Sequence, residues 1–172
     1  FVGASGELLF RLAANAGITR ADCYCTNVVK ERPIGNDITK FISFERSGVH
    51  TAPLYDEYEK MLYAELFSVR ANVFVAVGNV ALYALCRKQQ IMKRRGSILQ
   101  GFLNENINNT GRIVKVIPII HPAAALRQYL LIQSISSDMK RIVEESRFPE
   151  IRLPIRNIYL KPSYMDALSF LQ

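Results

Sequence analysis

The sequence predicts a three-layer αβα domain of the α/β class, built around a short and mostly parallel central sheet. Amphipathic stretches typical of helices alternate along the chain with short apolar runs. The apolar runs are continuous, which indicates strands covered on both faces. Polar residues follow the ends of these runs, where the ligands of such sheets collect.

The predicted helices follow from apolar residues spaced three and four apart. "GELLFRLAANAG" (6–17) forms a first helix, with Gly17 placed as its C-terminal cap. Residues 54–70 form a second helix. A third runs over residues 79–90, and Asn79 is placed to cap its N-terminus.

The predicted strands are short and rich in apolar side chains. "DCYCTNVV" (22–29) is a strand that leads into the polar loop "KERPIGND" (30–37). "NVFVAVG" (72–78) is a continuous apolar strand, and residues 96–120 hold two strands around an Asn-rich turn. The ends of these strands place Asn27, Gly78 and His121 at one edge of the sheet.

The net charge of +7 is concentrated in the middle of the chain. Residues 66–137 hold nine basic residues and one acidic residue, and "CRKQQIMKRRG" (86–96) is the densest part. A basic face of this kind fits a polyanion such as DNA, because neutralised phosphates release counterions. A solvated helix end with no partner is the alternative.

Composition excludes several other classes. No stretch approaches the roughly 18 apolar residues of a membrane span. The first residues, "FVGASGELLF", lack the features of a secretory signal. The cysteines and histidines fit neither a disulfide framework nor zinc spacing; they are Cys23, Cys25, Cys86, His50 and His121. We expect an intracellular protein, cytoplasmic or nucleoid-associated, with no membrane partner.

Four blocks of sequence occur in a recognisable order. They are "FVGASGELLFRLAANAGI", "CYCTNVVKERPIGN", "NVFVAVGNVALYAL", and "RRG" followed by "IPIIHPAAALR". Together they resemble the uracil-DNA glycosylase superfamily, most closely its family 4 branch and the phage polymerase-associated relatives. The resemblance covers the chain from Phe1 to about residue 147.

The resemblance implies a base-excision site. A glycosylase flips its base out of the stack, reads the edge of the base and stabilises the charge that develops on it. Phe1 would stack on a flipped uracil, and the Asn27 amide would read its edge. His121 would donate a hydrogen bond toward the uracil O2, and Asn36 would lie near the attacking water.

The resemblance also implies contacts with DNA. The loop after His121 would press into the minor groove, with Leu126 as a wedge and Arg127 on a phosphate. The other expected contacts are Pro122 in the same loop and four basic residues, Lys30, Arg32, Arg94 and Arg95. Each assignment has an ordinary structural alternative: a core ring for Phe1, a turn-capping amide for Asn27, a strand-end histidine for His121, and surface charge for the basic residues.

Two departures from the family affect these expectations. Relatives carry, upstream of the residue matching Phe1, a central strand and a Gly-Glu-Ala-Pro-Gly type loop that positions the hydrolytic water. We expect a longer chain or another segment to supply them. Many family 4 members also hold an iron–sulfur cluster, with one cysteine in a Lys-Cys-Arg-Pro context where this chain has Glu31. We therefore expect no cluster and no other cofactor, with residues 38–53 held by packing or mobile.

Residues 1–150 are expected to form the glycosylase-like domain, and 151–172 an extension or linker. "KPSYMDALSFL" begins a short amphipathic helix with Ser163 as its cap. It resembles the connector before the exonuclease domain of some phage polymerases; a terminal helix docked on the domain is the alternative.

Two functions remain open on the sequence. The first is a uracil-DNA glycosylase that acts on DNA, single-stranded or uracil-containing. The second is a non-catalytic glycosylase-fold DNA-binding module of a phage replication protein or polymerase. Retention of Phe1, Asn27 and His121 favours the enzyme, and Ala125 in place of the usual loop leucine favours the module.

Overall fold

Two layers of helices enclose a three-stranded sheet. The computed structural model describes residues 3–105, 110–153 and 161–171. The helices are α1 Gly3–Asn15, α2 Pro53–Ser68, α3 Gly78–Cys86, α4 Ile91–Arg94, α5 Pro122–Arg127, α6 Leu131–Ser146 and α7 Tyr164–Leu171; the strands are β1 Ile42–Phe44, β2 Val49–Thr51, β3 Phe74–Val77, β4 Leu99–Glu105 and β5 Thr110–Ile119.

The sheet has the strand order β3-β5-β4, so β5 is its central strand. β3 runs parallel to β5, with Val77 opposite Ile119 at the end of the pairing. β4 runs antiparallel to β5, and β1 and β2 form a separate antiparallel hairpin. The predicted α/β class is confirmed, and so are the two strands around the Asn-rich segment.

The side chains of β5 alternate between two cores, as the pleat of a strand requires. Ile117 and Ile119 are fully buried against α1, α5 and α6. Val114 and Val116 are buried on the other face, against α2 and α3. Both faces of the second half of β5 are covered, so residues 116–120 form a continuous apolar run, and the layering is αβα.

Pro118 is compatible with a central strand because of where β4 stops. The pairing of β4 with β5 ends at Leu99 opposite Val116. Beyond it, the Pro118 carbonyl accepts a hydrogen bond from the Gly96 N–H at 2.8 Å. The missing N–H of Pro118 points to this same side, so no bond between β3 and β5 is lost.

The predicted cap of the first helix is confirmed. Gly17 has a φ of 92°, the left-handed region that favours glycine. The Gly17 N–H bonds to the Ala14 carbonyl, and the Ile18 N–H bonds to the Ala13 carbonyl, both at 2.9 Å. This double closure is the Schellman motif, and it ends α1.

The prediction of a strand over residues 22–29 is wrong. Residues 23–27 have no regular secondary structure and pair with no strand among the described residues. A strand needs a neighbour for its backbone groups. Here Tyr24 and Thr26 instead attach the segment by their side chains to Glu65 of α2.

The third predicted helix ends earlier than expected, and its predicted cap is wrong. α3 stops at Cys86, because Arg87 adopts a left-handed backbone with a φ of 52°. Asn79 lies inside α3, so it cannot cap it. Its side-chain oxygen accepts a hydrogen bond from the Ile91 N–H at 2.9 Å, at the start of α4.

The C-terminal helix α7 carries the predicted cap. The Ser163 hydroxyl accepts from the Asp166 N–H at 3.2 Å, and the Asp166 carboxylate accepts from the Ser163 N–H at 2.9 Å. This reciprocal pair is a capping box. The division near residue 150 stays a prediction, since residues 154–160 lie outside the described part of the chain.

No helix among the described residues combines the length and the hydropathy that crossing a membrane requires.

A buried lysine ties the central strand to the end of α6. The Lys115 side chain is fully buried. Its Nζ donates to the carbonyls of Glu145 and Phe148 at 2.8 and 2.7 Å, and to the Glu145 carboxylate at 3.0 Å. The last carbonyls of a helix lack partners within the helix, so the ammonium satisfies groups that would otherwise be buried without a partner.

We predict that Lys115→Met lowers the free energy of unfolding by about 3 kcal/mol, because it leaves the Glu145 carboxylate and two carbonyls without their cation. Lys140→Met, which changes an exposed lysine of α6, is the matched control and changes it by less than about 0.5 kcal/mol. Chemical denaturation measures both. A loss below about 1 kcal/mol for Lys115→Met would show that water replaces the ammonium.

Candidate active site

His121 lies in the short connection between the central strand β5 and helix α5. β5 ends at Ile119, and His121 is the N-cap of α5, with Pro122 in the first turn. Proline is favoured there because its fixed φ suits a helix and its missing N–H is not needed. The His121 Nδ1 accepts a hydrogen bond from the Ala123 N–H at 3.2 Å.

This hydrogen bond assigns the tautomer of neutral His121. Because Nδ1 is an acceptor, the ring proton of the neutral form lies on Nε2. Desolvation by the surrounding protein, helped by the positive charge of Arg127, lowers the pKa of His121. The neutral ring therefore persists to a lower pH than in a free histidine, with Nε2–H as a donor.

Gly78 allows His121 to approach the neighbouring strand end. The parallel pairing of β3 with β5 brings the two strands to the same edge. A Cβ on Gly78 would lie 3.2 Å from the His121 Cβ, and Gly78 has a φ of 86°. Both the close contact and the backbone conformation favour glycine at this position.

Asn27 is exposed on the segment that precedes the loop 30–37. Its neighbours Tyr24, Thr26 and Lys30 all bind Glu65 of α2. Asn27 is thus an exposed residue within a segment that three other polar side chains attach to a helix. Phe1, the expected stacking residue, lies outside the described residues.

Asn36 lies in a tight turn of the same loop. Its backbone is left-handed, with a φ of 59°, and so is that of Gly35. The Asn36 N–H donates to the Pro33 carbonyl at 2.8 Å. The side chain of Asn36 is exposed, so the backbone hydrogen bond fixes the turn and leaves the amide in solvent.

Three of the four predicted phosphate-binding side chains have partners within the protein. Lys30 is paired with Glu65. The Arg94 guanidinium donates to the Gln89 carbonyl at 2.9 Å. Arg95 is the most firmly held of the three. Arg32, the fourth of these residues, is exposed.

Arg95 anchors the turn before β4 to α6. Its guanidinium makes two hydrogen bonds to the Asp138 carboxylate, at 2.6 and 2.9 Å. Asp138 is buried, and a Cβ on the neighbouring Gly96 would lie 2.4 Å from its Oδ1. The Arg-Gly turn is therefore built to accommodate a buried ion pair.

The loop after His121 divides into a buried and an exposed side. Pro122 and Ala125 are buried. Leu126 is 52 % exposed, and Arg127 is also exposed. Ala125 thus packs into the core, and Leu126 is the apolar side chain that the predicted minor-groove loop presents.

Two acidic residues hold predicted site segments in place and were not identified from the sequence. They are Glu65, which binds the segment around Asn27, and Asp138, which binds Arg95. Each is one of several acidic residues on a helix, and no local pattern distinguishes it. A cavity of about 370 Å³ lies elsewhere, between α2, the end of α3 and β4. Its lining, which includes the ion pair of Glu59 and Arg87, contains no predicted site residue.

Comparison with known families gives a match over most of the chain. The family model described as "Uracil DNA glycosylase superfamily" matches residues 1–145. The chain belongs to this superfamily.

Curated relatives within the superfamily are type-4 uracil-DNA glycosylases. One from Archaeoglobus fulgidus is 35 % identical over 147 residues, 84 % of this chain and 66 % of the relative. One from Thermotoga maritima is 31 % identical, over 84 % of this chain and 63 % of the relative. One from Saccharolobus solfataricus is 29 % identical, over 84 % of this chain and 62 % of the relative. The chain spans a little under two thirds of the length of these relatives.

The described residues of this superfamily member do not fit an iron–sulfur cluster. Within the described ranges, no three His, Cys, Asp or Glu side chains are grouped so as to hold a metal ion. Glu31, at the position where the resemblance leads us to expect a cluster cysteine, lies near the Tyr58 hydroxyl of α2, and desolvation together with the negative charge of Glu31 raises the pKa of that hydroxyl. Phe41 and Ile42 of the adjoining segment are buried against Tyr55, so apolar packing holds this segment.

The pKa of His121 gives a test of this site that needs no substrate. We predict that NMR titration finds it below the usual 6.5, and that Arg127→Gln raises it, because the substitution removes a positive charge that disfavours the imidazolium. Arg46→Gln, in the exposed β1–β2 turn, is the control and leaves it unchanged. A pKa above 6.5 in the unmodified chain would contradict the assignment.

The same shift gives a direction for stability. With a folded pKa below the unfolded one, the unfolded chain binds more protons. His121 therefore destabilises the fold as the pH falls through 6.5 and contributes no such penalty above it.

Proposed function

We propose that this chain hydrolyses the N-glycosidic bond of deoxyuridine in DNA, releasing uracil and leaving an abasic site. The observation that carries the proposal is His121, a neutral donor fixed at a strand end beside Gly78. Membership of the superfamily and the type-4 relatives support this reaction class.

The proposed chemistry uses His121 as an oxyanion donor. When the bond between C1′ and N1 breaks, its electron pair passes to the base and negative charge develops on O2. Nε2–H of a neutral imidazole donates to this oxygen as the charge grows, and such a donor contributes more in the transition state than in the bound substrate. Water supplies hydroxide to C1′ and a proton to the departing uracil, with Asn36 proposed to lie near that water.

Asn27 is proposed to read the base. Its amide N–H donates to the uracil O4, and its carbonyl accepts from the uracil N3–H. Cytosine presents an amino donor and a bare N3 in the same places, so both hydrogen bonds would be mismatched. The exposed position of Asn27 leaves this amide accessible to an extruded base.

DNA is the proposed partner, and we propose that electrostatic attraction to its phosphates contributes most of the binding. The basic excess of the middle of the chain attracts phosphates. Leu126 and Arg127, exposed on the loop after His121, are proposed to enter the minor groove and contact a phosphate. Base flipping is easiest from a single strand, where no pairing is lost, so we propose a preference for single-stranded substrate.

An end-labelled single-stranded oligonucleotide with one uracil, followed by alkali cleavage, tests the reaction. We expect cleavage at the uracil, about 100- to 1,000-fold slower in His121→Ala because an oxyanion donor is lost. Asn27→Asp should slow it about 10- to 100-fold, because the carboxylate cannot donate to O4.

His50→Ala is the matched control, since it removes the other histidine, which is exposed on the β1–β2 hairpin. Its rate should equal that of the unmodified chain. Equal rates for His121→Ala and His50→Ala would remove His121 from the mechanism.

A non-catalytic DNA-binding module of a replication protein is the second candidate. The exposed apolar side chains of α7 favour it, since Tyr164, Met165 and Phe170 are 79 %, 68 % and 84 % exposed and suit a larger assembly. Binding of the uracil oligonucleotide without any excision would support this function over the first.

We further propose that the chain works without an iron–sulfur cluster. After expression with iron and sulfide in excess, the purified chain should contain no stoichiometric iron and show no visible absorption band of a cluster. Chelation of iron should leave excision unchanged. About four iron atoms per chain, together with that band, would contradict the proposal.

A further inference from the structure

Three side chains of the segment 24–30 converge on one carboxylate of α2. The Tyr24 hydroxyl donates to Glu65 Oε1 at 2.5 Å, and the Thr26 hydroxyl donates to Glu65 Oε2 at 2.8 Å. The Lys30 ammonium forms an ion pair with the same Oε2 and donates to the Thr26 hydroxyl at 2.9 Å. These residues surround Asn27 in the sequence, in the pattern Tyr-x-Thr-Asn-x-x-Lys.

Asn27 follows Thr26 directly in the chain. Tyr24 and Thr26 are attached to α2 through Glu65, and Asn27 is exposed. Because each residue has only two soft backbone dihedrals, fixing Thr26 on α2 limits the directions in which the amide of Asn27 can point.

The contacts are partly sheltered from solvent. The side chains of Lys30 and Glu65 are 22 % and 29 % exposed. Partial burial alone would raise the pKa of Glu65, but the hydrogen bonds from Lys30, Tyr24 and Thr26 outweigh it and lower the pKa. The carboxylate thus remains charged at neutral pH and keeps its three donors.

The segment also lacks the support that a sheet would give. Within the part of the chain that the structure describes, residues 23–27 pair with no strand. Side-chain hydrogen bonds to Glu65, with the burial of Val29 in the cluster around Tyr55, hold it in place instead.

We infer that Glu65 is a positioning residue that sets the orientation of Asn27, and that Lys30 serves this ion pair instead of contacting a phosphate. The inference rests on the proposed function for the part in which Asn27 reads a base. The attachment of the segment to α2 is independent of any activity, and the experiments separate the two.

Backbone NMR order parameters test the attachment without substrate. In Glu65→Ala, the order parameters of residues 24–30 should fall from values typical of rigid backbone to below about 0.6, while those of β5 stay unchanged. Glu57→Ala removes another acidic residue of α2, which is exposed, and is the matched control. Order parameters of residues 24–30 that are equal in the two variants overturn the inference.

Single-turnover excision tests the consequence for base reading. Glu65→Ala should slow uracil excision about 10- to 100-fold at saturating protein, with the Kd for a uracil-free oligonucleotide unchanged, because the DNA grip remains while Asn27 is misplaced. Glu65→Gln, which keeps an acceptor but loses the charge, should fall between. Tyr24→Phe removes one hydrogen bond and serves if Glu65→Ala does not fold.

The outcomes are distinguishable from failure of the proposed function. If the unmodified chain excises nothing, the proposed function is wrong, and the order parameters alone decide whether Glu65 holds the segment. If the unmodified chain excises uracil and Glu65→Ala keeps its rate within about twofold, the positioning role is wrong.

The salt dependence of DNA binding tests Lys30. Loss of a phosphate contact lowers the slope of log K against log salt concentration by about 1. Lys30→Met should leave this slope unchanged and should lower the backbone order parameters of residues 24–30. A slope reduced by about 1 would make Lys30 a phosphate contact and overturn its assignment to the ion pair.

Discussion

The parallel pairing of β3 with β5 is the constraint on which the candidate site depends. Its register sets Val77 opposite Ile119, so the turn into α3 and the turn into α5 open at the same edge. Gly78 and His121 can lie close together there because Gly78 has no side chain, whereas a Cβ on Gly78 would crowd His121. The same strand β5 supplies both cores, so the stability of the layers and the position of His121 come from one element.

Much of the positive charge of this chain is used inside the fold. Lys115 satisfies carbonyls at the end of α6, Arg95 binds the buried Asp138, and Lys30 binds Glu65. Arg87 is paired with Glu59 as well. A count of basic residues therefore overstates the charge that is free to meet DNA, and the remaining exposed bases, such as Arg32 and Arg127, carry more weight in the proposed contact.

The segment around Asn27 is held in place by side-chain hydrogen bonds, where its composition predicts the backbone hydrogen bonds of a sheet. The sequence has the β-branched and aromatic residues of a strand, yet no ladder holds it among the described residues. Hydrogen bonds to Glu65 orient it instead. Likewise, the segment after Glu31 is held by apolar packing of Phe41 and Ile42, because apolar burial needs no metal to stabilise a loop.

The sequence by itself determined the α/β class, the C-terminal cap of α1 at Gly17, the cap at Ser163 and the place of His121 after an apolar strand. Each of these depends on residues within about one or two turns of one another, where periodicity and capping act. Tertiary structure decided that 22–29 is not a strand, that the Asn79 side chain accepts a hydrogen bond from the start of α4 and that Lys30 and Arg95 have acidic partners. Those partners lie 35 and 43 residues away, and no local pattern specifies a contact that only the packing of helices against the sheet creates.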